Sequence, residues 1–387
     1  MIARAPRVAL MVLATLLACA DDPASTPSDA AVDTSQDAAA DASPDISDED
    51  SSPDAEPDAP WGFEVLASQY GNIQTIAGRG IQDAKGGNGW EAGFEGAQAV
   101  TVELSRPHIA VGDDAGNVYI ADKDAHGIRR VAPDGTLTTV AGRNTPGDDG
   151  DGPAPATSMR LSSPNGLCIR GDGVFYVLDL GNGKVRKVAD GQMTTLFDAG
   201  NLGAGRGLWV SPAEDLAYAA AGTRLLRWTP TDGVSTLAEG FVSLGNLDVR
   251  ADGTILLSDR EGHRVWAITP QGVKTIIAGN GTPDGGGEGD QATQVGLEEV
   301  RGVWAHPRGG FFVATHKGGQ VWFVDPDGTI HLFVDGDNDD THAGDGQPFD
   351  RPGPKISEPR AVTMDPEGNV LVTESDFGFV RRVERLR

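Results

Sequence analysis

Basic residues, aromatics and cysteines are all scarce in this chain. It has 31 Lys and Arg against 57 Asp and Glu, a formal charge of −26 over 387 residues. Such a chain lacks the basic surface that displaces counterions from nucleic acid, which excludes nucleic acid as a partner class. Cysteine occurs at Cys19 and Cys168 alone. Cys19 falls in a leader-like segment, so no internal disulfide is expected. Beyond that leader no run is long and apolar enough to span a membrane. Also missing are a Gly-x-Ser-x-Gly nucleophile elbow, a P-loop and a dinucleotide fingerprint. What the chain has in quantity is turn chemistry, with 53 glycines and 24 prolines.

Three stretches differ in composition. Residues 1–19 carry Arg4 and Arg7, then an apolar run from Val8 to Leu17, then Ala18-Cys19. That order is a secretory signal, and Leu16-Leu17-Ala18-Cys19 resembles a bacterial lipoprotein box, which implies diacylation of Cys19 and export to the cell envelope as a lipid-anchored protein. Residues 20–60 hold 13 acids and no Lys or Arg, and are otherwise mostly Ala, Ser, Pro and Thr. Such a segment buries too little apolar area to offset its ordering entropy and reads as a disordered acidic linker. Residues 61–387, with 44 acids and 29 bases, are expected to fold.

From Gly71 onward one pattern recurs. The clearest copy spans 107–142, with short apolar runs at 109–111, 118–122, 128–131 and 136–141 separated by Gly-Asn and Asp-Gly turns. This is the signature of successive antiparallel hairpins. Further copies begin at Pro164, Arg206, Asn246, Arg301 and Pro359. The sixth has three strands, and Ile73-Gln74-Thr75-Ile76-Ala77-Gly78 near the front matches the missing fourth. Units of about 40 residues with four strands each predict an all-β, six-bladed β-propeller. Strand 73–78 should complete the last blade and close the ring; a solenoid would need caps instead.

The copies resemble NHL repeats. Gly116-Asn117-Val118-Tyr119-Ile120-Ala121-Asp122, Gly262-His263-Arg264-Val265 and the stretch from Pro359 to Glu374 carry the resemblance. The third copy departs most, with Ala219-Ala220-Ala221 where the first, second and fourth end a strand in Asp. The resemblance implies an interaction platform for a protein, peptide or glycan. Six-bladed propellers also include calcium-dependent lactonases and zinc-dependent amidating lyases, so a metal-dependent hydrolase or lyase is the alternative. The lactonases place a Glu, two Asn and an Asp around the metal; Asn165 and Asn246 are present here, but the ring has no acid.

Aligned copies place His108, Asn165, Arg206, Asn246, Arg301 and Arg360 at the start of the innermost strands, around one axial mouth. Guanidinium groups there suit a carboxylate or phosphate. The other reading is that they pair with Asp122, Asp179, Asp259 and Glu374 at the ends of the second strands. Four long connections, near 79–105, 143–160, 280–296 and 336–355, should share that face, where loops on a rigid scaffold carry binding residues. The Asp clusters at 147–152 and 337–340 offer oxygens for Ca²⁺ but fit turns equally. His126 and His263 occupy equivalent repeat positions, which suggests a scaffold role over zinc binding. Cys168 reads as an apolar inner-strand residue. No catalytic residue, metal ligand or cofactor is assigned, and a monomer is expected.

Overall fold

The computed structural model describes residues 61–80, 87–171, 173–337 and 341–387. The signal, Cys19 and the acidic linker lie outside the described residues. Six antiparallel sheets of at least four strands stand around one axis. Their inner strands are Pro107–Gly112, Pro164–Ile169, Leu208–Val210, Leu244–Val249, Val300–Ala305 and Pro359–Met364. We number the blades 1 to 6 in that order.

Every blade is buried on both faces, which is why second strands such as Val118–Asp122 and Val370–Glu374 are buried along their whole length. Six hydrophobic clusters hold the molecule together, one at each blade interface. The cluster between blades 6 and 1 joins Ala77, Leu371 and Val380 to Ala110, Ile120 and Leu137. The ring is therefore closed by the same packing that joins blades adjacent in the chain.

The closing strand is where the repeats placed it. Tyr70–Ala77 pairs antiparallel with Phe379–Arg385, with Ile73 opposite Val383 and Thr75 opposite Arg381. It begins three residues earlier than 73–78, and a short helix, Phe63–Ala67, precedes it. Leu66 of that helix is fully buried against blades 5 and 6. Trp61 stacks on His306 with ring centroids 4.7 Å apart, and Phe63 on His331 at 4.6 Å.

The long connections meet the loops between second and third strands, as the sequence suggested, with Asn182 donating to the Gly147 carbonyl at 2.8 Å and Gly285 and Gly318 lining one pocket, but they do not stay on that face. Each runs down the outer edge of the blade it leads into. Ala154–Pro155 adds a strand to blade 2 beside Gln192–Asp198, and Gln347–Pro348 adds one to blade 6 beside Tyr70–Ala77. Gln98 bridges to Thr136 in blade 1, and Gln291 to Thr329 in blade 5. An acid followed by a left-handed glycine marks each crossing: Glu95-Gly96, Asp151-Gly152, Glu288-Gly289 and Asp345-Gly346. In three of them the carboxylate accepts a backbone N–H of the outer strand: Thr139 to Glu95 at 2.8 Å, Leu332 to Glu288 at 2.6 Å and Thr75 to Asp345 at 2.8 Å. In blade 2 the Asp151 backbone carbonyl takes the Thr195 N–H at 2.8 Å. These loops satisfy edges that would otherwise be open to strand addition.

Candidate functional site: the cationic axial mouth

The inner strands approach closely at their first residues because glycine follows or precedes the mouth residue in four blades. A Cβ on Gly166 would lie 2.5 Å from the Arg206 carbonyl oxygen, one on Gly207 2.7 Å from the Leu247 nitrogen, and one on Gly302 2.9 Å from the Val362 nitrogen. The chain turns into several inner strands through a left-handed residue that is not glycine: Arg106, Ser163, Glu299 and Glu358. Such conformations cost about 1–3 kcal/mol each and persist only where surrounding structure imposes them.

The result is a tight ring. His108, Asn165, Arg206, Asn246, Arg301 and Arg360 all come together there, and all are buried, with Arg206 the most exposed at 9%. His108 Nδ1 contacts Asn165 Oδ1 and lies 3.1 Å from Arg206 Nη1. Asn165 donates from Nδ2 to the Gly205 carbonyl at 2.7 Å. Arg301 donates to Glu299 at 3.1 Å, and Arg360 to both Asp376 oxygens at 2.8 Å. Arg106 and His316 reach the same Asp376 carboxylate, each at 3.1 Å.

The second-strand acids do not pair with these arginines. Asp122, Asp179 and Glu374 bind fully buried third-strand arginines, Arg129, Arg186 and Arg381. The same acids, with Asp259, accept the backbone N–H of Ser105, Ser162, Ser243 and Ser357 ahead of each inner strand. They tie the second strand of a blade to its third strand and to the chain entering that blade, and neither Asp179 nor Asp259 reaches into the ring. Blade 5 has Thr315 at this position and no such acid, and blade 3 likewise has Ala221 and none.

Arg206, in that blade, has no acid partner among the described residues. Its pKa is lowered well below normal, first by burial and then by the Arg360 and Arg301 charges. Arginine nonetheless stays protonated in proteins, so the ring holds a buried cation beside two others. Arg301 is drawn down to about 10, by burial and then by Arg360. His108 is held neutral by burial and by Arg206 and Arg360. Glu299 is held low, chiefly by its hydrogen bond from His316. For Asp376, burial acts upward, but His316 and Arg360 outweigh it and leave its pKa depressed. Within the protein, His108 Nε2, Arg206 Nε, Asn246 Nδ2, Arg301 Nη1 and Arg360 Nε lack hydrogen-bond partners. Four of these, on Arg206, Asn246, Arg301 and Arg360, are N–H donors without an acceptor, and His108 Nε2 has no partner of either kind.

Arg106, Glu299, Glu358 and Asp376, which with His316 form the outer layer of the mouth, escaped the sequence reading, whereas His316 was among the histidines expected on this face. Their signal was the repeat position just before each inner strand, which holds Arg106, Ser163, Glu299 and Glu358. His316, Glu358 and Asp376 place ligand atoms within 4.8 Å of one another. Arg360 and Arg106 on Asp376, Lys317 on Glu358 and Arg301 nearby already neutralise this cluster, which disfavours a divalent cation. In the 147–152 loop, Asp148 and Asp151 bind Lys184 while Asp149 binds Arg160, so those oxygens serve the scaffold. In the second Asp cluster, 338–340 lie outside the described residues. His126 accepts the Ser163 N–H at 3.0 Å, and the His263 ring lies 2.9 Å from the Leu297 carbonyl. Both histidines join one blade to the start of the next.

The ring of blades and its closing strand define a six-bladed β-propeller of NHL-like repeats. Residues 65–189 match the family model of the Teneurin NHL domain, a span covering the closing strand, blade 1 and all of blade 2 but its strand Gln192–Asp198. Teneurin-3 of Danio rerio is 30% identical over 137 residues, which are 30% of this chain and 5% of that protein. The chain thus spans a small fraction of that curated relative. A protein of unknown function from Bacteroides thetaiotaomicron superposes with a TM-score of 0.63 at 17% identity, over 81% of this chain and 75% of the other. A protein from Bacteroides ovatus described as an auxiliary nutrient binding protein gives 0.60 at 12% identity, over 82% and 78%. At these identities the likeness is one of fold.

Proposed function

We propose that this propeller is a non-enzymatic binding module on the bacterial cell envelope, which takes one carboxylate or phosphate group of its ligand at the cationic mouth. A single observation carries the reading: Arg206 is a buried guanidinium with no acid partner among the described residues, in a ring of five unpaired nitrogens. A buried cation is strongly unfavourable unless paired. A small anion on the axis supplies the missing charge and accepts from the N–H donors among those nitrogens. The tightness of the ring limits the bound part to one compact head group, carried by a peptide, glycan, protein or free small molecule. The nutrient-binding description of the Bacteroides ovatus neighbour supports a binding role. The lactonase alternative lacks an acid in the ring to hold its metal, and three arginines repel one. A diacylated Cys19 with residues 20–60 as spacer holds the module, a monomer, at the membrane.

The test is thermal unfolding of residues 61–387 in phosphate, acetate and citrate at constant ionic strength. At least one anion should raise the melting temperature of the wild type and leave Arg206→Met unmoved. Equal responses in both proteins reject the site. Cys19→Ser in the full chain should release it from membranes; unchanged membrane association rejects the anchor.

A further inference from the structure

The axis has a second end, whose lining meets the mouth at Asn246 alone of the six ring residues. On the face carrying the turns between first and second strands, it opens into a cavity of about 1390 Å³ lined by all six blades and continuing between blades 4 and 5. We propose that this cavity is a separate binding site for an organic cation, an amine or quaternary ammonium with an apolar or aromatic body.

Its walls are apolar and include two indoles from inner strands, Trp209 and Trp304. Both pack against the blade interfaces on one side and keep accessible surface on the other. Faces of tryptophan attract cations within about 6 Å of the ring centroid. Between the indoles in the ring order stands Asp248 of blade 4. Its two oxygens accept the N–H groups of Val249 at 2.8 Å and Ala305 at 2.9 Å, which fix the carboxylate in the wall. Each oxygen retains a further lone pair for a ligand.

The charge of the lining agrees. Six aspartates contribute to it against Arg170 and Arg250. Arg170 is paired with Glu214 at 3.0 Å, and Arg250 lies over the Phe311 ring at 5.8 Å. An apolar site with few polar anchors is the usual form of a small-molecule pocket, and this volume exceeds the common range of about 300–1,000 Å³. The cationic mouth would repel the same ligand, so the two ends select opposite charges. Cys168 lies in the wall, but its thiol is pushed up to about 12 by burial, which leaves it no role as a nucleophile.

Calorimetry at pH 7 with phenethylamine and with 3-phenylpropanoate tests this, because the two probes share a phenyl body and differ in charge. Phenethylamine should bind saturably and the propanoate at least tenfold more weakly. Asp248→Asn and Trp304→Leu should each weaken phenethylamine at least fivefold while near-ultraviolet dichroism stays native. Arg206→Met should leave it unchanged, so failure here is distinct from failure of the anion site. Equal affinity for both probes, absence of saturable binding, or wild-type affinity in both natively folded cavity variants overturns the proposal.

Discussion

The two ends of the propeller axis are built from the same six strands and differ in almost every physical respect. At the strand starts, six polar residues close a buried ring around unneutralised charge. At the strand ends, the same strands diverge around an open, apolar and acid-lined cavity. Glycines such as Gly166 and Gly302 allow the close approach at the first end, whereas Trp209 and Trp304 line the second. One repeat therefore yields opposite environments, because alternate positions of an inner strand are read at different heights along one axis.

The ends should also respond oppositely to acid. Asp376 and Glu299 have depressed folded-state values, so the stability they contribute is present above about pH 4, the unfolded value, and is lost as pH falls further. Asp248 is pushed up to about 6 by burial. Its contribution is full below its unfolded value of about 3.9 and is lost as pH rises through 6.

The largest effect expected is at the mouth. Asp376→Asn leaves Arg360 and Arg106 without their shared anion and should destabilise by about 3–5 kcal/mol in urea unfolding at pH 7, as breaking a buried pair does. Arg206→Met removes the unpaired charge and should stabilise the anion-free protein by about 1–2 kcal/mol in the same measurement. A loss of stability would show that its contact with His108 outweighs the buried charge. At the cavity end, the wild type should gain about 1–2 kcal/mol relative to Asp248→Asn between pH 7 and pH 5. Parallel pH curves for the two would place Asp248 in water. The smallest effect concerns Cys168: a thiol reagent at pH 8 should leave the native protein unlabelled over hours and label it at once in denaturant.

Much of this architecture could be read from periodicity alone. The blade number, the closing strand and the six mouth positions follow from aligning copies, since repeats force equivalent residues to equivalent heights. The partners of those residues could not be read. Asp122 and Arg129 are seven apart in the chain and meet across one hairpin, but Arg106 and Asp376 meet only because the ring closes. The cavity went unseen for a related reason: Trp209, Asp248 and Trp304 lie in three different blades, and no local pattern marks them as neighbours. The long connections looked like free loops because Gly and Asp serve turns and edge capping alike.

The closing strand has a mechanical consequence. Any pull on the chain ahead of Trp61 first meets two stacked aromatic contacts, on His306 and His331, and then the buried helix residue Leu66. Only after these yield does load reach Tyr70–Ala77, which lies between Phe379–Arg385 and Gln347–Pro348 and is bonded to both. A propeller held by its front end is thus attached through a graded series of fastenings, and the last of them is the seam of the ring itself.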